Sequence, residues 1–160
     1  MERALRDQLP KGQFGKVAPT HRRVMQAVKG IGNRTTERRF RGALARAGIG
    51  GWKLNVQAIQ GCPDFFFPRH LVAIFLDGCF WHGCPLCGHV PKRNRKFWAA
   101  KIARNEERDK KTTRLLKQEG ILVLRFWEHE LKSSLPVCIR QVKRALRLRS
   151  KARVSDPSPS

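Results

Sequence analysis

Acidic residues are scarce in this chain. Only 12 Asp and Glu stand against 34 Lys and Arg in 160 residues, a formal charge of +22. A chain so poor in acid repels itself, and a polyanion relieves that repulsion most readily, so nucleic acid is the leading expected partner. Long apolar runs are missing too, which removes a membrane span from consideration, and no signal peptide is evident. The expected compartment is therefore reducing and cytoplasmic, and the five cysteines are not expected to pair as disulfides. Internal repeats are absent, as is any linker long enough to separate two domains. The length suits one domain with a core that needs no disulfide staples.

Within that domain the pattern alternates between helix and strand signals. Residues 1–19 read as a flexible basic arm, 20–149 as the folded domain and 150–160 as a disordered tail. A short helix is expected over 20–30, with Val24, Met25 and Val28 on one side. A second, from Thr35 or Thr36, carries Phe40, Ala43, Leu44 and Ala47 and stops at Gly48. Strands are expected at 52–59, 64–67 and 71–76, the last reading as fully buried. A loop over 78–91 precedes a long helix from Asn94, expected as N-cap, to Gly120. A strand at 121–127 and a basic helix at 136–149 complete an α/β domain, a mixed central sheet flanked by helices.

The chemistry concentrates in Asp77-Gly78-Cys79-Phe80-Trp81-His82-Gly83-Cys84-Pro85-Leu86-Cys87, directly after the buried strand. Cys84-x2-Cys87 alone could be a redox pair, but a third thiol at Cys79 favours a metal. Tetrahedral zinc then wants a fourth ligand, for which His82, His89, His129 and Cys138 qualify by type. Each acid outside the long helix also stands out. Asp64 follows the Pro63 turn at a strand entrance, Asp77 ends the next strand, and Glu37 lies on the second helix. Carboxylates beside a basic surface suit Mg²⁺ and phosphate chemistry, whereas Asp64 as a mere turn former is the simpler alternative.

Pro63-Asp64, Phe75-Leu76-Asp77-Gly78-Cys79-Phe80-Trp81-His82-Gly83-Cys84, Phe97-Trp98-x-x-Lys101-Ile102-x-x-Asn105-x-x-Arg108-Asp109 and Val123-Leu124-Arg125-Phe126-Trp127-Glu128 together resemble the very short patch repair endonucleases. The resemblance covers about residues 21–131. It implies a restriction-endonuclease-like core of the PD-(D/E)xK superfamily with a structural zinc loop, and an enzyme that nicks one strand of double-stranded DNA at a T:G mismatch. By the same resemblance Asp64 is the Mg²⁺ ligand, helped by the Leu76 carbonyl. His82 is the catalytic histidine and Glu37 a supporting acid. Cys79, Cys84, Cys87 and His129 are the zinc ligands. Phe80, Trp81 and Trp98 are the aromatics that enter the DNA stack, with Met25 near the minor groove. Asp77 stands where some members carry a second histidine, so it joins the catalytic candidates as an extra carboxylate able to bind metal. Cys62 replaces the usual arginine before Pro63-Asp64.

The expected protein is thus a monomeric, Mg²⁺-dependent strand-nicking endonuclease with structural Zn²⁺, acting on mismatched duplex and linked functionally to a DNA cytosine methylase or a mismatch-repair system. The alternatives are a related nickase of restriction or phage defence with another target, and a non-catalytic zinc-containing DNA-binding module.

Overall fold

Helix α1 (Arg34–Arg46) places Glu37 in its first turn, where a carboxylate complements the helix dipole. It ends in the paired bonds of a Schellman motif, Gly48 N–H to the Ala45 carbonyl and Ile49 N–H to the Leu44 carbonyl, each 3.0 Å. The structure, a computed structural model, describes residues 34–154. The expected basic arm, the first expected helix with Met25, and the end of the tail lie outside the described residues.

Three strands follow as an antiparallel meander: β1 (Lys53–Leu54), β2 (Phe65–Phe67) and β3 (Val72–Asp77). Helix α2 (Arg95–Gln118) then crosses over so that β4 (Leu122–Trp127) lies parallel to β3, in register Val72 to Leu122 through Asp77 to Trp127. The sheet order is β1-β2-β3-β4. A short helix α3 (Glu128–Ser133) leads into α4 (Leu135–Val154). This mixed sheet with helices on both faces is the restriction-endonuclease-like arrangement expected.

Strand alternation decides what each face holds. Val72 and Ile74 of β3 join Phe65, Phe67 and Phe126 against α1 and α4, with Phe40, Leu44 and Val142 at the centre. Phe40 meets Phe65 edge-on at 5.2 Å and Phe126 at 5.7 Å, and truncating so buried a ring costs about 3–5 kcal/mol. Ala73 and Phe75 point the other way, onto Phe66, Leu116 and Ile121. Asp77 continues this second set, so the alternation carries a carboxylate to the α2 side of the sheet.

Four local expectations are corrected. The strand over 52–59 is only two residues long, because Asn55 adopts a left-handed backbone (φ 47) and turns follow up to Cys62. Asn94 stands before α2 but makes no side-chain cap. Its φ of 56 denies it the extended backbone that capping needs, and its carbonyl instead accepts the Trp98 N–H at 3.1 Å. Helix α3 was not expected; it forms where Glu130 accepts the Trp127 backbone N–H at 2.8 Å, half of a capping box. Helix α4 continues past Arg149, since nothing in Ser150-Lys151-Ala152-Arg153-Val154 breaks it. Arg149 donates to the carbonyls of His70 (3.1 Å), Leu71 (3.4 Å) and Gly120, so this cation ties loops together. No helix among the described residues is long and apolar enough to cross a membrane.

Candidate active site and metal cluster

The loop after β3 folds back on itself through short backbone bonds. His82 N–H reaches the Gly78 carbonyl (3.1 Å), Cys84 N–H the Cys79 carbonyl (2.9 Å), and Gly88 N–H the Cys84 carbonyl (2.8 Å). These turns gather three sulfurs around one imidazole delivered by α3. His129 Nδ1 stands 3.3, 3.5 and 3.4 Å from the Sγ atoms of Cys79, Cys84 and Cys87, and the sulfurs of Cys84 and Cys87 are 3.6 Å apart. All four ligand atoms lie within 4.8 Å of one another. Tetrahedral zinc with bonds of about 2.3 Å to sulfur and about 2.0 Å to nitrogen would separate its ligands by roughly 3.5–3.8 Å, so the donor set fits. Electrostatics agree. Burial raises Cys84, but the backbone N–H groups of Cys87 and Leu86 outweigh it and bring this thiol below its ordinary value. The neighbouring sulfurs, Cys79 first, push Cys87 up to about 12. A cation bound among the three sulfurs would favour their thiolate forms.

Of the other candidate ligands, Cys138 is buried in the core between α4 and the sheet, and His89 is exposed beside the Phe80 ring at 5.9 Å. The loop's aromatics form a preassembled cluster with the start of α2. Phe80 contacts Trp81 at 4.9 Å and Trp98 at 5.4 Å, Trp81 lies 5.9 Å from Trp98, and Lys101 Nζ sits 5.5 Å over Trp81. Asn105 fixes the loop to α2 by donating to the Trp81 carbonyl at 2.8 Å. Loop and helix approach closely at Gly83 (φ +64), where a Cβ would meet the Glu106 carboxylate and lie 2.9 Å from Ile102.

His82 turns its Nδ1 toward α2 and makes a very short hydrogen bond to Asp109 Oδ2. An acceptor there sets the neutral ring's proton on Nδ1 and leaves Nε2 as the free acceptor. Burial raises Asp109, but the hydrogen bond from His82 and the charge of Arg125 hold it below the usual carboxylate range. Arg125, from β4, grips Asp77 with both arms of its fork, Nε to Oδ2 at 2.6 Å and Nη2 to Oδ1 at 2.7 Å. Both oxygens of Asp77 are thus engaged by Arg125. Asp64 stands before β2, and its Oδ2 accepts the Leu76 N–H across to β3 at 2.7 Å. Burial lifts Asp64 to about 6, with Glu37 and Asp77 adding negative field.

Among the described residues only the Cys₃His group assembles three ligand side chains. A hard cation at Asp64 would draw on one carboxylate, carbonyls and water, which is how Mg²⁺ is commonly held. The reading of the sequence missed Asp109 and Arg125. Asp109 carried a signal, for it lies in the α2 stripe Ile102, Asn105, Asp109, Thr112, Leu116, spaced three or four apart. Arg125 is the one charge in an otherwise apolar strand.

The family model for the DNA mismatch endonuclease Vsr matches residues 16–87. A type II nicking enzyme of Neisseria meningitidis serogroup C is 43% identical over 98 residues, 60% of this chain and 66% of its own length, just under two thirds. The DNA mismatch endonuclease Vsr of Escherichia coli is 34% identical over 109 residues, 66% of this chain and 69% of its own. A type II nicking enzyme of Xanthomonas oryzae pv. oryzae is 34% identical over 119 residues, 72% of this chain and 85% of its own. With 69% of the Escherichia coli Vsr and 85% of the Xanthomonas protein covered at 34% identity, and the cysteine-rich loop inside the region the family model matches, the chain belongs to the Vsr DNA mismatch endonuclease family.

Proposed function

We propose that this protein is a DNA endonuclease that nicks one strand of duplex DNA, with His82 and Asp64 at the scissile phosphate. The observation that carries the reading is the His82–Asp109 pair, standing beside the strand end that holds Asp64. Hydrolysis forms one bond from water oxygen to phosphorus and breaks the bond from phosphorus to the leaving sugar oxygen. Protons must leave the water and reach the leaving oxygen. Imidazole is suited to such transfers near neutral pH, and the Nδ1–H bond to Asp109 aims Nε2 at them. Asp64, with the Leu76 carbonyl and Glu37 in support, would hold Mg²⁺, which when bound supplies positive charge against the phosphate oxygens. The Cys₃His cluster would hold Zn²⁺ and fix the backbone on both sides of His82.

The preferred substrate on this reading is a mismatched duplex, T:G by family likeness, because a mismatch costs less to unstack and the Phe80, Trp81 and Trp98 cluster offers faces to stack on. T:G arises from deaminated 5-methylcytosine, so a cytosine methylase is the functional partner that fits. A nickase of restriction with another target is the second reading, favoured by the type II nicking enzymes among the relatives. One experiment separates these. Mismatched and matched oligonucleotide duplexes are incubated with Mg²⁺ and the protein, its Asp64→Ala form or its His82→Ala form. Nicking confined to T:G and lost in both variants, with binding retained, supports the proposal. Nicking of other duplexes supports the second reading, and binding without nicking of any duplex leaves only a DNA-binding module.

A further inference from the structure

Asp77 is 5% exposed, one of two buried polar residues among those described, and no step of the proposed chemistry uses it. Its partner Arg125 spends every nitrogen. Nε and Nη2 hold Asp77, Nη2 also lies 3.3 Å from Asp109 Oδ1, and Nη1 lies 3.5 Å from Thr113 Oγ1. The guanidinium lies 4.7 Å over the Phe75 ring, which fixes its plane. Asp109 is divided in turn, one oxygen toward Arg125 and the other on His82. His82 Nδ1 also lies only 3.7 Å from Asp77 Oδ1. Two carboxylates therefore stand within reach of one imidazole N–H, and a small rotation of the ring would exchange one for the other.

We propose that Arg125 is a positioning residue for His82: by occupying both oxygens of Asp77 and one oxygen of Asp109, it leaves Asp109 Oδ2 as the single acceptor for Nδ1–H and so fixes where Nε2 points. The geometry demands a fork. Two parallel N–H bonds to Asp77 and a third toward Asp109 need a planar guanidinium, and the point charge of lysine cannot fill all three. Asp77 then acts as the counter-ion that locks the fork, in place of a role on metal or substrate.

This inference rests on the nicking reading, and the two can fail separately. Single-turnover and steady-state nicking are measured on the preferred duplex for zinc-loaded protein, with DNA affinity measured in parallel. Misaiming a reacting group by about 1 Å costs on the order of 10²-fold. Arg125→Met is therefore expected to lower kcat about 10²-fold, with KM and duplex Kd changed less than about threefold. The double variant Asp77→Leu/Arg125→Met removes the competing acceptor with its clamp, and should recover kcat to within about tenfold of the parent. Should Arg125→Met not fold, Arg125→Lys serves, with kcat about tenfold down. Parent-like kcat in Arg125→Met or Arg125→Lys would overturn the proposal, as would no recovery in the double variant. If the parent nicks no duplex, it is the nicking reading that falls.

Discussion

Asp64 Oδ2 accepts the backbone N–H of Leu76 at 2.7 Å, a bond that joins the entrance of β2 to the end of β3 and half-buries the carboxyl. On the proposed reading its other oxygen would take the cation. The burial that positions Asp64 also lifts it from 3.8 to about 6. Between about pH 4 and pH 6 the folded protein holds a proton that the unfolded chain has released. Stability from this group is therefore full below pH 4, falls as pH rises toward 6, and is level above, a difference of about 3 kcal/mol at most. A divalent cation competes with that proton. We predict that Mg²⁺ raises Tm near pH 7.5 and not near pH 5, and that the Mg²⁺ needed for half-maximal nicking rises about tenfold per pH unit below 6. Asp64→Asn should erase the pH dependence of the Mg²⁺ effect; a Tm gain from Mg²⁺ that is equal at both pH values in the parent would exclude Asp64 as the ligand.

Asp109→Asn tests the aim of His82. The amide can offer an N–H where the carboxylate offered an acceptor, which selects the other tautomer and places the ring proton on Nε2. The expected loss of kcat is roughly 10²–10⁴-fold, the range that positioned acid–base catalysis contributes, with duplex affinity kept. Equal rates in Asp109→Asn and the parent would remove the pair from the mechanism.

The Cys₃His cluster ties the loop of Phe80, Trp81 and His82 to α3, so removing one ligand should loosen all three at once. His129→Ala is expected to lower bound zinc from one per chain toward none by elemental analysis, to lower Tm, and to abolish nicking while far-UV circular dichroism keeps most of its helix signal. Chelation of the parent should act in the same direction, and zinc rather than Mg²⁺ should reverse it. Parent-like zinc content in His129→Ala would remove that residue from the ligand set.

How legible this site was depended on chain distance. The thiol spacing announced a metal within nine residues of sequence, but His129 lies 42 residues beyond Cys87, and chemistry alone left it among four candidates. The fold resolves it because β4 runs parallel to β3 and α3 begins where β4 ends, level with the start of the cysteine loop. The buried β3, the stop of α2 at Gly120 and the meander were readable from local pattern. Asp109 was not singled out, since a carboxylate in a helix rich in Lys and Arg reads as solvated surface. Only its place in line with Ile102 and Leu116 marks it as facing the sheet, and only the pairing of β3 with β4 explains why Arg125 lies beside Asp77. The shortened β1 had no such signal, because Asn55 takes a left-handed backbone in a segment whose apolar spacing suits a strand.

The aromatic cluster gives the last prediction. Trp98 touches Phe80 and Trp81 in the loop and Phe97 on its own helix, so it is the hub that holds the rings as one surface. Lys101 Nζ lies 5.9 Å from its centroid and 5.5 Å from that of Trp81, placing a cation where the rings meet. A surface assembled in advance loses little entropy on stacking against a base, and such stacking is worth about 1–3 kcal/mol by truncation to alanine. Trp98→Ala should therefore weaken binding to a mismatched duplex about tenfold, and to the matched duplex of the same sequence less than about threefold, since only the mismatch opens cheaply. Titrating both duplexes at fixed salt measures the ratio, and salt must be held because the basic surface alone makes affinity steeply salt-dependent. If Trp98→Ala lowers the two affinities equally, the cluster is supporting the loop and another element reads the mismatch.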